Sequence, residues 1–256
     1  MSSHDGTRAV WPYPRVIAHR GGGTLAPENT LAAIRHGASL GFRGVEFDVM
    51  LTGDAVPVLI HDETLERTTG GKGEVARLPY AEIGKLDAGR WLGERWSGER
   101  VPLFADAARL CRELGVWANV EIKPARGFEN ETGRAVAQMA LELWHAAPLP
   151  PLLSSFAPLA LVAAKAAAPQ LPRGLLFGKI PADWLARMRA LDCVALHCNY
   201  TSLTAPLLEQ IRAAGYAVLV WTVNDPAEAK RLYGWGVDAI VTDRLDLIGP
   251  DFAEVA

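Results

Sequence analysis

Apolar positions along the chain recur in two alternating rhythms. Short runs rich in Val, Ile, Leu and Ala are followed by stretches in which apolar side chains return every three or four positions. The first rhythm belongs to strands buried on both faces and the second to amphipathic helices, so their alternation predicts a parallel sheet with helical crossovers. Predicted strands are residues 16–20, 44–51, 117–123, 152–156, 174–177, 193–199, 217–223 and 239–242; predicted helices lie near 30–40, 104–114, 129–146, 158–168, 181–190, 204–214 and 226–234. Asn29 stands where the first helix needs an N-cap, and Asn224 and Asp225 followed by Pro226 open the last one. Eight strands with seven intervening helices point to an α/β fold closed as a (β/α)8 TIM barrel. An open doubly wound sheet shares much of this pattern, but no GxGxxG follows the first strand.

Residues 56–100 break the rhythm with a polar, glycine-rich stretch holding Thr68, Thr69, Gly70, Gly71, Lys72 and Gly73 and the pair Trp91 and Trp96. A loop this long inside a compact domain carries function or a small structure of its own. Residues 56–60 read as a short extended piece, and about 62–100 as an insertion over the barrel mouth of a single domain spanning 1–256. Trp91, Trp96 and Trp235 are expected to be packed inside.

Composition narrows the class of partner. Half of the residues are apolar and the formal net charge is only -3, which argues against a broad basic face for nucleic acid and leads any phosphate chemistry to be expected as local. Cys111, Cys193 and Cys198 are odd in number and lack a CxxC spacing, so they are expected as reduced core residues rather than as a disulfide framework or a zinc site. The opening MSSHDGTRAVWPYPR has no apolar run of the kind a signal peptide needs, and no later stretch reaches bilayer length. A cytoplasmic protein without a membrane span is expected.

Active sites of such barrels form where the strands end, and polar residues are dense there. His19 and Arg20 close the first strand, Glu46 and Asp48 lie in the second, His61 ends the extended piece, and Glu121 and Lys123 end the next strand. Residues two apart on a strand share a face, so Glu46 and Asp48 project together, as do Glu121 and Lys123. Carboxylates crowded inside a low-dielectric barrel repel unless neutralised. A hard divalent cation, Mg2+ or Ca2+, suits three carboxylates better than zinc does. Taken singly, each residue has a plainer explanation: solvated strand-end charges for Glu46 and Asp48, a core imidazole for His19, salt bridges for Arg20 and Lys123. As a set they offer metal ligands, two imidazoles that titrate near neutral pH, and cationic groups that match phosphate oxygens. Later strand ends offer Phe156, Phe177 and Trp221, which supply shape and apolar contact.

The strings HRGGGTLAPENT at 19–30 and GVEFDVMLTGDAVPVLIHDETLERTTGGKG at 44–73, then VEIKP, SSF, WTVND and AIVTD, resemble the glycerophosphodiester phosphodiesterase family over nearly the whole chain. The resemblance implies a TIM barrel with a small insertion after strand two, hydrolysing glycerophosphodiesters to sn-glycerol 3-phosphate and an alcohol. It also implies His19 and His61 as an acid/base pair, Glu46, Asp48 and Glu121 as metal ligands, and Arg20 and Lys123 as phosphate contacts. The chain is most similar to the cytoplasmic bacterial branch of that family. A third glycine, Gly23, stands where many relatives carry another small residue.

Which histidine is acid and which is base stays open at this level, as does attack by water or by a glycerol hydroxyl. A lipid-specific phospholipase or a cyclising phosphodiesterase on the same barrel is the competing enzyme; a non-catalytic binding barrel would be credible had a histidine or carboxylate been replaced. A metal-dependent amidohydrolase would be expected to show His-x-His on the first strand, where this chain has His19 and Arg20. Because hydrogen-bonding sites reject ill-matched substrates more strongly than apolar walls do, the expected partner is a small glycerophosphodiester read mainly on its glycerol side.

Overall fold

The computed structural model describes residues 10–255. Its strands are β1 (Val16–Ala18), β2 (Gly44–Leu51), β3 (Pro57–Leu59), β4 (Trp117–Ile122), β5 (Leu152–Ser155), β6 (Arg173–Phe177), β7 (Ala195–Asn199), β8 (Ala217–Trp221) and β9 (Ala239–Thr242). They form one sheet in the order β1-β9-β8-β7-β6-β5-β4-β2-β3, and the pairing of β1 with β2 closes the parallel strands into a ring. The helices are α1 (Leu31–Ser39), α2 (Tyr80–Ile83), α3 (Phe104–Leu114), α4 (Glu129–Leu143), α5 (Pro158–Ala167), α6 (Trp184–Ala190), α7 (Ala205–Ala213), α8 (Pro226–Trp235) and α9 (Phe252–Val255). The expected (β/α)8 barrel is thus the observed one. No helix of the described residues is long and apolar enough to cross a membrane.

Each strand divides its side chains between two shells. Val45, Phe47 and Val49 of β2 and Ala118, Val120 and Ile122 of β4 join the large core between sheet and helices. The alternate positions face the barrel interior, where Ile17, Trp117, Leu152, Ala195, Ala217, Leu219, Ala239 and Val241 form a separate apolar plug. Outward burial of Phe47 and Val120 therefore turns Glu46, Asp48, Asn119 and Glu121 inward. The three cysteines are buried and unpaired, as expected.

Several local expectations change. β1 ends at Ala18 because His19–Gly21 turns out of the sheet, with Arg20 in the left-handed region at φ 48°. The cap of α1 is Thr30, whose Oγ1 accepts from the Ala33 amide at 3.1 Å, while Asn29 at φ 57° gives its side chain to Asp48. Asp225 does cap α8, accepting from the Ala227 amide, with Pro226 next in line. Phe177 points outward into the sheet–helix core, and Leu176 takes the inward place. Trp91, expected inside, is 42 % exposed: it sits in the short turn 90–92, which buries none of its residues, with its indole N–H donating to the Ala88 carbonyl.

The extended piece becomes β3, antiparallel to the end of β2, with Leu59 opposite Val49. This return brings the chain back beside Asp48, whose carbonyl accepts from the Ile60 amide at 3.2 Å. The insertion that follows has a small core of its own, in which Met50, Val58, Ile60, Leu65, Val75, Ile83, Ala88 and Val101 meet.

Where α1 crosses the first loop, the backbones nearly touch: a Cβ on Gly37 would lie 2.2 Å from the Gly21 carbonyl oxygen. On helix propensity alone, alanine would be better than glycine by about 1 kcal/mol. Here the added methyl must displace the turn that carries His19 and Arg20. Gly37→Ala is expected to destabilise the protein by about 1–3 kcal/mol, roughly 2–4 °C in Tm per kcal/mol for a chain of this size, and to lower activity. A Tm at or above that of the wild type would contradict this contact.

Candidate active site

Strand register assembles the acidic centre. Asp48 of β2 is the Cα partner of Glu121 on β4, and Glu46 that of Asn119, so the three carboxylates lie one residue step apart on two adjacent inward faces. One oxygen from each of Glu46, Asp48 and Glu121 can be chosen so that all lie within 4.8 Å of one another, and all three residues are buried. Oxygens ligating one Mg2+ or Ca2+ fall roughly 3–5 Å apart, given metal–oxygen distances of about 2.0–2.6 Å. The cluster therefore fits a hard cation in both donor type and spacing.

Cationic groups border it. Lys123 Nζ lies 3.2 Å from Asp48 Oδ1 and 3.7 Å from Glu121 Oε1. The Arg20 amide donates to Glu46 Oε2 at 3.1 Å, its Nε lies 3.6 Å from Asp48 Oδ2, and its Nη1 donates to Glu28 Oε1 at 2.6 Å. Asn29 clasps Asp48 twice, donating through Nδ2 to Oδ2 at 2.9 Å and accepting at Oδ1 from the Asp48 amide at 3.1 Å.

Each histidine faces a carboxylate through Nδ1. His19 Nδ1 is 2.6 Å from Asp243 Oδ1, with Nε2 3.8 Å from Glu46 Oε2, and His61 Nδ1 is 2.6 Å from Asp62 Oδ1. Such pairing fixes ring orientation and favours a proton on Nδ1. The loops make this possible by close approach: a Cβ on Gly23 would lie 2.2 Å from the Asp243 carbonyl oxygen, at φ 55°, so the third glycine of the opening motif is required by contact with the last strand's end.

His19, Arg20, Glu46, Asp48, His61, Glu121 and Lys123 line one cavity of about 120 Å³ whose other walls are Phe156, Leu176, Leu219, Trp221 and Val241, with Asn119 and His197 also in its lining. Phe156 and Trp221 meet edge to face, centroids 5.4 Å apart. Of the ten residues singled out from the sequence for chemistry or substrate contact, His19, Arg20, Glu46, Asp48, His61, Glu121, Lys123, Phe156 and Trp221 meet in that cavity, and Phe177 does not. A larger depression of about 890 Å³, against Trp11 and Tyr13, lies where β6, β7 and β8 begin and gathers neither histidines nor a carboxylate cluster.

Comparison with known proteins decides the family. The model of the glycerophosphoryl diester phosphodiesterase family matches residues 19–247. The chain belongs to that family. It is similar to a glycerophosphodiester phosphodiesterase of Caldanaerobacter subterraneus, 36 % identical over 233 residues, which are 89 % of this chain and 93 % of the relative. Among solved structures it is similar to an Oleispira antarctica phosphodiesterase in complex with the product sn-glycerol-3-phosphate, at 40 % identity and TM-score 0.88, covering 95 % of this chain and 98 % of that one. A glycerophosphodiester phosphodiesterase of Agrobacterium tumefaciens matches at 26 % identity and TM-score 0.78 over 95 % of this chain and all of its own. As a member of the family the chain is an enzyme, a phosphoric diester hydrolase.

In this phosphodiesterase the three acids do not share charge equally. Burial pushes each up, but Lys123, Arg20, His61 and Asn29 outweigh burial at Asp48 and hold it below its ordinary value. Glu46 is pushed up to about 7, by burial first and then by the Asp48 charge, and Glu121 is raised for the same two reasons. Burial would lower His19, yet its hydrogen bond to Asp243 and the charges of Glu46 and Asp243 leave it raised. His61 stays lowered, by burial and the nearby Arg20 and Lys123 cations, against the pull of Asp48.

Glu28, Asp243 and Arg67 join the site in addition to the residues singled out from the sequence, and Asn29, expected as a cap, clasps Asp48 instead. Glu28 and Asp243 lie inside recognisable strings at strand ends, which is the signal that could have marked them; their partners lie 8 and 224 positions away.

The acid imbalance sets a sign for pH. Glu46 keeps its proton to about pH 7 when folded, against an ordinary value of 4.5. The folded state then binds more protons in that window, so this carboxyl's contribution, complete below the unfolded value, is lost as pH rises through the folded one. In chelator, Glu46→Gln should gain thermal stability relative to wild type as pH is raised across that window. Parallel Tm–pH curves for the two proteins would refute the shift.

Proposed function

We propose that this chain hydrolyses glycerophosphodiesters to sn-glycerol 3-phosphate and an alcohol, with one divalent cation, Mg2+ or Ca2+, held by Glu46, Asp48 and Glu121. The observation that carries the reading is the meeting, in one cavity, of three buried carboxylates with two histidines each oriented by a further carboxylate. The product found in the Oleispira relative supports the glycerophosphate side. Residues 1–256 act as one catalytic domain, and the insertion at about 62–100 reaches the site through Arg67, which donates to Asp62 and Glu28.

A phosphodiester monoanion resists attack until charge on its oxygens is neutralised and the leaving alkoxide receives a proton. When bound, the cation supplies positive charge to the phosphate oxygens. Arg20 and Lys123 add their own charges at the same rim. Their ion pairs with Glu28, Asp48 and Glu121 keep them in place for that contact. His61, lowered by burial and neighbouring cations, is suited to accept the nucleophile's proton; His19, raised by Asp243 and Glu46, is suited to protonate the leaving oxygen. Phe156 and Trp221 shape the apolar wall against the substrate.

Chelation is expected to abolish turnover, with Mg2+ or Ca2+ restoring it; full activity in excess chelator would remove the metal from the mechanism. His19→Ala and His61→Ala should each lower kcat by about two to four orders of magnitude. With an aryl glycerophosphodiester, whose leaving group needs no proton, the His19→Ala loss should shrink and the His61→Ala loss should not. The reverse pattern would exchange the two roles.

The charged side chains come from β2, β4 and the loops after β1 and β3, whereas the facing wall is Phe156, Leu176, Leu219 and Trp221. Discrimination should therefore fall on the glycerol moiety. Glycerophosphocholine, glycerophosphoethanolamine and glycerophosphoglycerol are expected to differ by less than about tenfold in kcat/KM, or about 1.4 kcal/mol, with a glycerol-free aryl diester a poor substrate. Equal use of the aryl diester would contradict glycerol recognition, and identifying the products would expose a cyclising reaction.

A further inference from the structure

Arg67 reaches the site from the insertion, and its donors are shared between two carboxylates. Nε donates to Asp62 Oδ2 at 2.5 Å and Nη2 to Asp62 Oδ1 at 3.1 Å. On the other edge, Nη1 donates to Glu28 Oε2 at 2.7 Å and Nη2 to Glu28 Oε1 at 2.8 Å. Each carboxylate is in turn bonded to a group inside the cavity: Asp62 to His61 Nδ1, and Glu28 to Arg20 Nη1, both at 2.6 Å. The result is a continuous chain, His61–Asp62–Arg67–Glu28–Arg20, joining the end of β3 to the loop after β1.

We propose that Arg67 is a positioning residue, which holds the imidazole of His61 and the guanidinium of Arg20 in fixed relation through one planar fork bonded to two carboxylates. Only arginine offers donors on two edges in this geometry; a lysine supplies one point charge. Exposure of 45 % for the Arg67 side chain marks a contact whose energy solvent screens. Its value lies in orientation, since Glu28 and Asp62 are only 12 % and 26 % exposed and each would otherwise have one cationic partner fewer to fix its torsion. Without Arg67 the Asp62 carboxylate can rotate away from His61 Nδ1, and Glu28 can follow Arg20 rather than restrain it.

The inference rests on the proposed roles of His61 and Arg20, so His61→Ala is measured beside it. Arg67→Ala is expected to lower kcat about 10- to 100-fold, the usual cost of losing a partner that orients a functional group, and to raise KM through Arg20. Guanidinium chloride far below denaturing concentrations should restore part of kcat in Arg67→Ala, with no gain in wild type and none from equal sodium chloride. A purely structural role would show as lost Tm without that rescue. If Arg67→Ala does not fold, Arg67→Lys carries the test, with kcat reduced about tenfold or more at near-native Tm. Arg67→Ala or Arg67→Lys within twofold of wild type overturns the inference, as does a defect that guanidinium leaves untouched. Should His61→Ala itself retain full activity, the acid/base reading fails instead.

Discussion

Crowding of Glu46, Asp48 and Glu121 inside the barrel is the interaction around which the rest of this structure is arranged. Their oxygens come within 4.8 Å in a place where water is scarce and like charges are costly. The neighbours answer that cost unevenly. Asp48 has Lys123, Arg20 and both ends of the Asn29 amide, and stays ionised; Glu46, facing burial and the Asp48 charge with the His19 ring and then the Arg20 amide against them, is pushed up. Negative capacity is therefore left over at Glu46 and Glu121, which is the condition under which a divalent cation binds strongly and releases protons as it does so.

Around this centre, mounted on the paired strands β2 and β4, the histidines and Arg20 are carried by loops and must be held from outside. His19 depends on Asp243, which follows β9, and His61 on Asp62. Ring closure between β1, β2 and β9 is what brings these distant pieces of chain together. The packing that results is close enough to dictate residue type, with Gly23 against the Asp243 carbonyl and Gly37 against that of Gly21. Arg20 accepts a left-handed backbone there, at φ 48°, so that its amide can face Glu46 while its side chain turns toward Glu28. Such a conformation persists at a functional turn only when its surroundings over-determine it.

How much of this was legible in the chain depended on the range of the information. Alternation along β2 and β4 is a local, period-two property, and the polar residues Glu46, Asp48, Asn119 and Glu121 stand out against apolar neighbours, so their common inward face could be read directly. β6 carries RGLLF, buried on both shells, and its apolar run holds no marker of which face is inner, so only the structure shows that Leu176 rather than Phe177 stands in the site. Asn29 is equally good at capping a helix or clasping a carboxylate, and only the position of Asp48, nineteen residues on, selects the second.

By itself, then, the sequence determined the alternating elements, the barrel they build, and the acids, histidines and cationic side chains that end its strands, because these follow from local periodicity and residue type. Tertiary structure alone decided which carboxylate serves which cation, how the three acids divide their charge, and that β3 turns back to set His61 beside Asp48. It also brought Arg67 out of the polar insertion to join Glu28, 39 positions before it, with Asp62. The physical reason is that burial and Coulomb interaction depend on distances in space, and those exist only after the ring of strands has closed and its loops have packed against one another.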